Sequence, residues 1–167
     1  SNYPQPQHMI EFTYDLIQRD KLSFDKSKND HRVVTFHDSC NVARGSNMGD
    51  IENGQFILPR EVIKAACNNF SDMHKSTIKS ATFCCGGGGG LLTDDLIDLR
   101  IKGAKPRMHA LKQSEQDNGV NTLAAICAIC KSQFSKVLPN YDFDPYMIVS
   151  VHQLVSDAII LTKDSET

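Results

Sequence analysis

Four short runs of β-branched, aromatic and small apolar residues recur along the chain, each followed by a stretch with helical spacing. The first, "RVVTFHD", is centred on Val33 to Phe36; behind it "LPREVIKAACNNF" carries a proline at a first-turn position and apolar residues through Ile63 and Cys67. The second, "TIKSATFCC", precedes "TDDLIDLRIKG", where Thr93 reads as a cap and the aspartates as an acidic first turn. Gly103 predicts a break there, with a restart at Pro106 as "PRMHALKQSEQ". The third and fourth runs, "VNTLAAIC" and "YMIVSV", lead into "KSQFSKVL" and "HQLVSDAIIL", and "HMIEFTYDLIQRD" reads as an opening helix. Strands separated by helices predict an α/β fold, a mostly parallel sheet of about four strands flanked by helices.

The 167 residues, 40% hydrophobic, suit one domain, with residues 1–8 expected to be a linker. A net charge of -2 and no basic run give no electrostatic reason to expect nucleic acid or an anionic membrane surface as a partner. No apolar run approaches the roughly 20 residues of a membrane span, and "SNYPQPQHM" lacks the layout of a signal peptide. The expectation is a cytoplasmic domain without direct membrane insertion, read as a fragment of a longer subunit.

In a parallel sheet the loops leaving the carboxyl ends of the strands gather along one edge, where ligands bind. Cys40 lies beyond the first run, Cys84 and Cys85 end the second, and Cys127 and Cys130 leave the third. Five thiols far apart in sequence are therefore expected at one edge. Thiolates select zinc, copper(I) or the iron of iron–sulfur clusters. Cys127-x-x-Cys130 suits zinc, whereas adjacent Cys84 and Cys85 suit a tetrahedral ion poorly unless the backbone turns. No run of four cysteines at two-residue intervals marks a ferredoxin-type cubane. On the residues alone, an iron–sulfur cluster, a zinc site and a redox dithiol all stay open.

The pattern of Cys40, "CCGGGGG" and "CAICK" resembles the cysteine-rich CCG domain found in the B subunit of heterodisulfide reductase and in related subunits of succinate, lactate and glycerol-phosphate oxidising enzymes. "VTFHDSCNVARG", "FCCGGGGGLLTDDL", "AAICAICKSQF" and "VSVHQLVSDAI" together look most like the catalytic K subunit of the membrane-bound Dsr complex of dissimilatory sulfur metabolism. The resemblance runs from about residue 9 to 162. It implies a noncubane [4Fe-4S] cluster held by Cys40, Cys84, Cys85, Cys127 and Cys130, cleaving or forming a sulfur–sulfur bond by two-electron chemistry. The implied partners are a DsrC-type sulfur carrier protein, presenting a disulfide or trisulfide on its C-terminal arm, and the other subunits of a membrane-bound Dsr complex. The implied location is the cytoplasmic, inner face of the membrane. The chain lacks the cubane motifs of a full K subunit and carries a longer segment, "GSNMGDIENGQF", after Cys40. The alternative from another class is a non-catalytic zinc- or iron–sulfur-binding module that is structural or passes single electrons.

Cleaving a sulfur–sulfur bond needs a proton and a positive charge near the leaving thiolate. Candidates at the same edge are His37 and Asp38, Arg44, Lys131 after the CxxC, and His152 at the end of the fourth run, which is a candidate proton donor near neutral pH. Cys67, mid-helix between alanine and asparagine, reads as a small apolar core residue outside the site. His74 and His109 read as surface residues.

Overall fold

The computed structural model describes residues 6–161. Three strands form one parallel sheet in the order β1 (Val34–Phe36), β2 (Thr122–Ala125), β3 (Ile148–Ser150). Their registers pair Thr35 with Leu123 and Ala124 with Val149. The helices are α1 (Met9–Gln18), α2 (Cys40–Gly45), α3 (Gly54–Ala66), α4 (Ile97–Asn118), α5 (Ala128–Val137) and α6 (Val151–Ala158). The α/β class and the parallel sheet hold. Of the segment expected to be a linker, residues 1–5 lie outside the described residues, while His8 caps α1 and exchanges bonds with Glu11.

Alternation along the strands sorts the core into two layers, as a pleated sheet requires. Leu123 and Ala125 face one layer with Ala104, Met108 and Leu111 of α4 and Phe134 and Val137 of α5. Val34, Phe36 and Ala124 face the other, with Ile10, Val62, Ile63, Leu154 and Val155 of α1, α3 and α6. Each fully buried side chain of this size contributes about 1.5–3 kcal/mol. The sheet is thus covered on both faces, which is why its strands read as continuous apolar runs.

Three expectations are corrected. The segment "TIKSATFCC" is not a strand: residues Lys75–Thr77 and Lys79–Ala81 form two 3-10 turns, and the sheet has three strands rather than four. Lys79 takes a left-handed φ of 56°, and its N–H donates to Asp38 Oδ2 at 2.7 Å, so a tertiary carboxylate holds the turn. Second, α4 runs unbroken through Gly103 and Pro106. Pro106 is on the exposed side, where water can take up the carbonyl that its missing N–H leaves free. Third, α3 opens at Gly54, inside the long segment after Cys40, and Pro59 lies within the helix.

Candidate metal centre

Strand parity sets the first group. His37 follows β1, donates its N–H to Ala124 O at 2.9 Å and faces the layer opposite to Phe36. Its ring meets Phe134 edge-on, with centroids 4.9 Å apart. One ring nitrogen of His37 and the sulfurs of Cys85 and Cys130 lie within 4.8 Å of one another, all three residues buried. Burial, reinforced by the charge of Arg107, holds the His37 imidazole well below its ordinary value, so it is neutral at physiological pH.

The CxxC is placed by a helix start. Cys127 is the N-cap of α5 and Cys130 lies in its first turn, so the partial positive end of the helix sits beside the sulfurs. Cys85 reaches them from the third direction. After it the chain turns at Gly86, whose φ is 87° and where a Cβ would come within 2.4 Å of Arg100 O and 2.8 Å of Ala104 N. Only glycine allows this loop to lie on α4, and Gly103 gives the facing surface, 3.5 Å from Gly86 Cα to where its Cβ would be. Gly86 N–H donates to Cys84 Sγ at 3.3 Å.

All six cysteines are free thiols. Interaction with the Cys130 thiol, with burial adding, pushes Cys85 up to about 12; contact with Cys85, then burial, raises Cys84 as well. These thiols hold their protons until a metal displaces them, so metal binding here releases protons. Cys84 itself is exposed, beside a mostly apolar pocket of about 270 Å³ lined by Gly86, Leu91, Leu96, Leu99 and Arg100.

Cys40 opens α2 and is half-buried. Its helix packs on the turn at Lys79–Ala81, and Arg44 of that helix donates to Thr82 O, three residues before Cys85. Arg44 thereby ties α2 to the cysteine loop, although its residue as a whole is exposed. Asp38 is fully engaged: it accepts from Arg60 Nη1 and Nη2 at 2.8 Å each, and Arg60 also pairs with Asp72. Burial opposes the Arg60 charge, but the hydrogen bonds to Asp38 and Asp72 outweigh it and hold the guanidinium above its ordinary value.

Two candidates stand elsewhere. His152 belongs to α6, in the layer opposite Cys85 and Cys130, with Nε2 3.1 Å from Thr13 Oγ1 of α1. Lys131 is exposed and lines a groove with Arg32, Tyr146 and Gln153. Neither is gathered with the buried thiols. Cys67 is buried in the opposite layer, where burial pushes it up to about 11, and His74 and His109 are exposed. Sequence reasoning missed Arg100 and Arg107, both buried on α4. A sign was present: Arg107 falls in an apolar stripe with Ala104, Met108 and Leu111, a spacing that puts it on the inner face.

Residues 34–135, which hold all five gathered or loop cysteines, match the CCG family, described as a cysteine-rich domain. The chain belongs to the CCG family. This CCG domain is 43% identical over 159 residues to the Hdr-like menaquinol oxidoreductase iron-sulfur subunit 2 of Archaeoglobus fulgidus, covering 95% of the chain and 27% of that protein. It is 29% identical over 153 residues to the D subunit of the dihydromethanophenazine:CoB–CoM heterodisulfide reductase of Methanosarcina mazei, covering 91% and 33%. The chain thus spans about a quarter to a third of the curated relatives it matches. No solved structure matches.

The donor set of this CCG domain fits a thiolate-bound iron–sulfur group. Besides the thiols, the interior holds polar atoms with no partner among the described residues: both ring nitrogens of His37, Ser39 Oγ beside Cys40, and Arg107 Nε. A buried polar atom left unpaired costs about 1–3 kcal/mol, and an anionic sulfur-rich group is a ready acceptor for the one N–H of neutral His37, the Ser39 hydroxyl and Arg107 Nε. Among the described residues no helix is long and apolar enough to cross a membrane.

Proposed function

We propose that this CCG domain is the catalytic iron–sulfur domain of a heterodisulfide reductase-like oxidoreductase, holding a noncubane [4Fe-4S] cluster on Cys40, Cys84, Cys85, Cys127 and Cys130. The observation that carries it is the meeting of buried Cys85, Cys130 and His37 beside an exposed Cys84. When bound, the cluster would receive electrons one at a time and supply two to a sulfur–sulfur bond, or would accept two from a pair of thiols. Reductive cleavage of R–S–S–R′ takes two electrons and two protons and leaves two thiols.

The residues of the chain provide the setting. The glycine loop turns the chain sharply after the two adjacent thiols, which touch each other, and leaves Cys84 exposed at the pocket. Phe134, packed edge-on against fully buried His37, keeps water from the Cys85–Cys130–His37 group, which strengthens electrostatic interactions there. The substrate is a protein-borne disulfide or trisulfide of the DsrC type, in dissimilatory sulfur metabolism, and the domain works within a membrane-associated complex at its cytoplasmic face. Of the proton and charge candidates, His37 lies with the thiols and Arg44 ties α2 to their loop, while Lys131 and His152 stand apart from them.

Anaerobic reconstitution with iron and sulfide, followed by metal analysis and electron paramagnetic resonance, tests the cluster. The expected product has about four irons and four sulfides per chain and a resonance that changes on adding a thiol substrate. One zinc with no acid-labile sulfide in a folded chain would sink the reading and leave the structural module. Binding of a peptide bearing a carrier's two-cysteine C-terminal arm tests the substrate class separately.

A further inference from the structure

The buried charges of the chain do not balance. Asp38, 3% exposed, is bonded to Arg60, which it shares with the partly exposed Asp72. Arg100, 3% exposed, and Arg107, 0% exposed, form no ion pair among the described residues. Arg100 Nε donates to Gln133 Oε1 at 2.8 Å and Nη1 to Thr93 O at 3.1 Å. Arg107 Nη2 donates to Thr77 O and to Thr82 Oγ1, the latter at 2.8 Å, and Nη1 contacts Met73 Sδ at 2.9 Å. Every one of these partners is neutral, and Arg107 Nε has none. An uncompensated buried ion costs several kcal/mol, so these two cations, of which only Arg107 has a carboxylate, Asp38, close enough to act on its charge and neither has one bonded to it, call for a further anion.

Their placement says where that anion belongs. Seven residues apart on a helix, Arg100 and Arg107 share one face of α4 at a separation of about 10 Å along its axis. The glycine loop lies on that face between them, with Gly86 packed against Arg100 O and Ala104 N. Arg107 grips the two residues that precede the cysteine pair: it bonds Thr82 and lies over the Phe83 ring, 5.8 Å from the centroid. Burial brings it down only to about 10, offset by the charge of Asp38 first and by Cys130 and Cys85 after it, so it is a cation at neutral pH.

We propose that Arg107, seconded by Arg100, is the built-in counter-charge of the thiolate-bound group and sets its reduction potential. The inference rests on the iron–sulfur reading. Arg107 acts through space as a positioning residue and touches no substrate. When the bound group takes one electron from a reductant, no bond forms or breaks, and the fixed cation stabilises the added negative charge. Without it the oxidised form is favoured.

The test compares the wild-type chain with Arg107→Met, Arg107→Lys and Arg100→Met. All are reconstituted anaerobically and followed by iron and sulfide content, circular dichroism and resonance-monitored redox titration with mediator dyes at one pH. Arg107→Met is expected to weaken the reduction equilibrium about tenfold, a fall of about 59 mV for a one-electron couple. Arg107→Lys should recover most of it, and Arg100→Met should shift it the same way. An unchanged potential in Arg107→Met, or an equal fall in the Lys and Met variants, overturns the proposal. Should Arg107→Met fail to fold or load, cluster retention with near wild-type potential in Arg107→Lys and a lowered potential in Arg100→Met support it. Loss of loading in the Lys variant too, or an unshifted Arg100→Met, overturns it. A wild-type chain that takes up no iron and sulfide counts against the cluster instead.

Discussion

At the scale of single residues the three buried cysteines divide by which face of the sheet they occupy. Cys85 and Cys130 sit with α4 and α5, and Cys67 sits with α3 and α6. Cys84→Ser and Cys85→Ser are therefore expected to abolish cluster assembly, measured as acid-labile sulfide per chain, while Cys67→Ser leaves it largely intact. Equal loss in all three would mean that the ligand set is wrong. Asp38, two residues from Cys40, has a different task. It accepts from both Arg60 Nη atoms and from the Lys79 N–H, so it joins β1, α3 and the turn that leads to the cysteine pair. Asp38→Asn removes a buried charge that three donors face, and is expected to cost about 3 kcal/mol, read from the denaturant midpoint of the apo chain. A loss under about 1 kcal/mol would show that Asp72 alone suffices for Arg60.

At the scale of elements, the glycine loop and α4 are one unit. Gly86→Ala adds a Cβ 2.4 Å and 2.8 Å from backbone atoms of α4 at a φ of 87°, and helix backbone cannot swing aside. A cost of at least about 3 kcal/mol is expected, roughly 6–12 °C in melting temperature for a chain of this size. Gly89→Ala has the same left-handed strain, φ 72°, but open space, and should lose only about 1 kcal/mol. Similar melting temperatures for the two variants would contradict the close packing of loop on helix. This is also where the sequence was least legible. Val34–Phe36, Thr122–Ala125 and Ile148–Ser150 could be read because strands covered on both faces are mostly apolar, with only Thr35, Thr122 and Ser150 polar here. "TIKSATFCC" has a similar composition, yet its buried positions, Thr77, Ile78, Thr82 and Cys85, do not alternate. What bends it is Asp38, forty-one positions away, and no local pattern carries that information. Likewise Gly103 and Pro106 read as a break because local propensity cannot show that the glycine faces Gly86 and the proline faces water. Cys127 and Cys130 could be located for the opposite reason, since they follow β2 and a parallel sheet fixes where strand-end loops meet, whereas Cys84 and Cys85 end no strand and were put at that edge by a rule that does not apply to them. His152 was placed by the same rule and landed on the far layer, because α6 begins at once after β3 and carries it to α1.

At the scale of the whole molecule, burying imidazole makes the apo fold sensitive to acid. His37 is fully buried and neutral, held well below its ordinary value by burial and by Arg107. The unfolded chain binds a proton at this residue near pH 6.5, and the folded chain does not. Protons are thus taken up on unfolding, and stability falls as the pH falls below about 6.5, by up to about 1.36 kcal/mol per unit. Half-buried His152 is lowered by burial too and adds a smaller part of the same sign. The stability is fully present above that range, where both states are deprotonated. Urea unfolding of the metal-free, reduced chain between about pH 7 and pH 5 should show this slope. In His37→Gln most of it should vanish even though the variant is less stable throughout, because a neutral amide has no proton to gain. A slope that survives His37→Gln but disappears in His152→Gln would move the acid-sensitive group to the α1–α6 contact and leave His37 accessible to protons in the folded state.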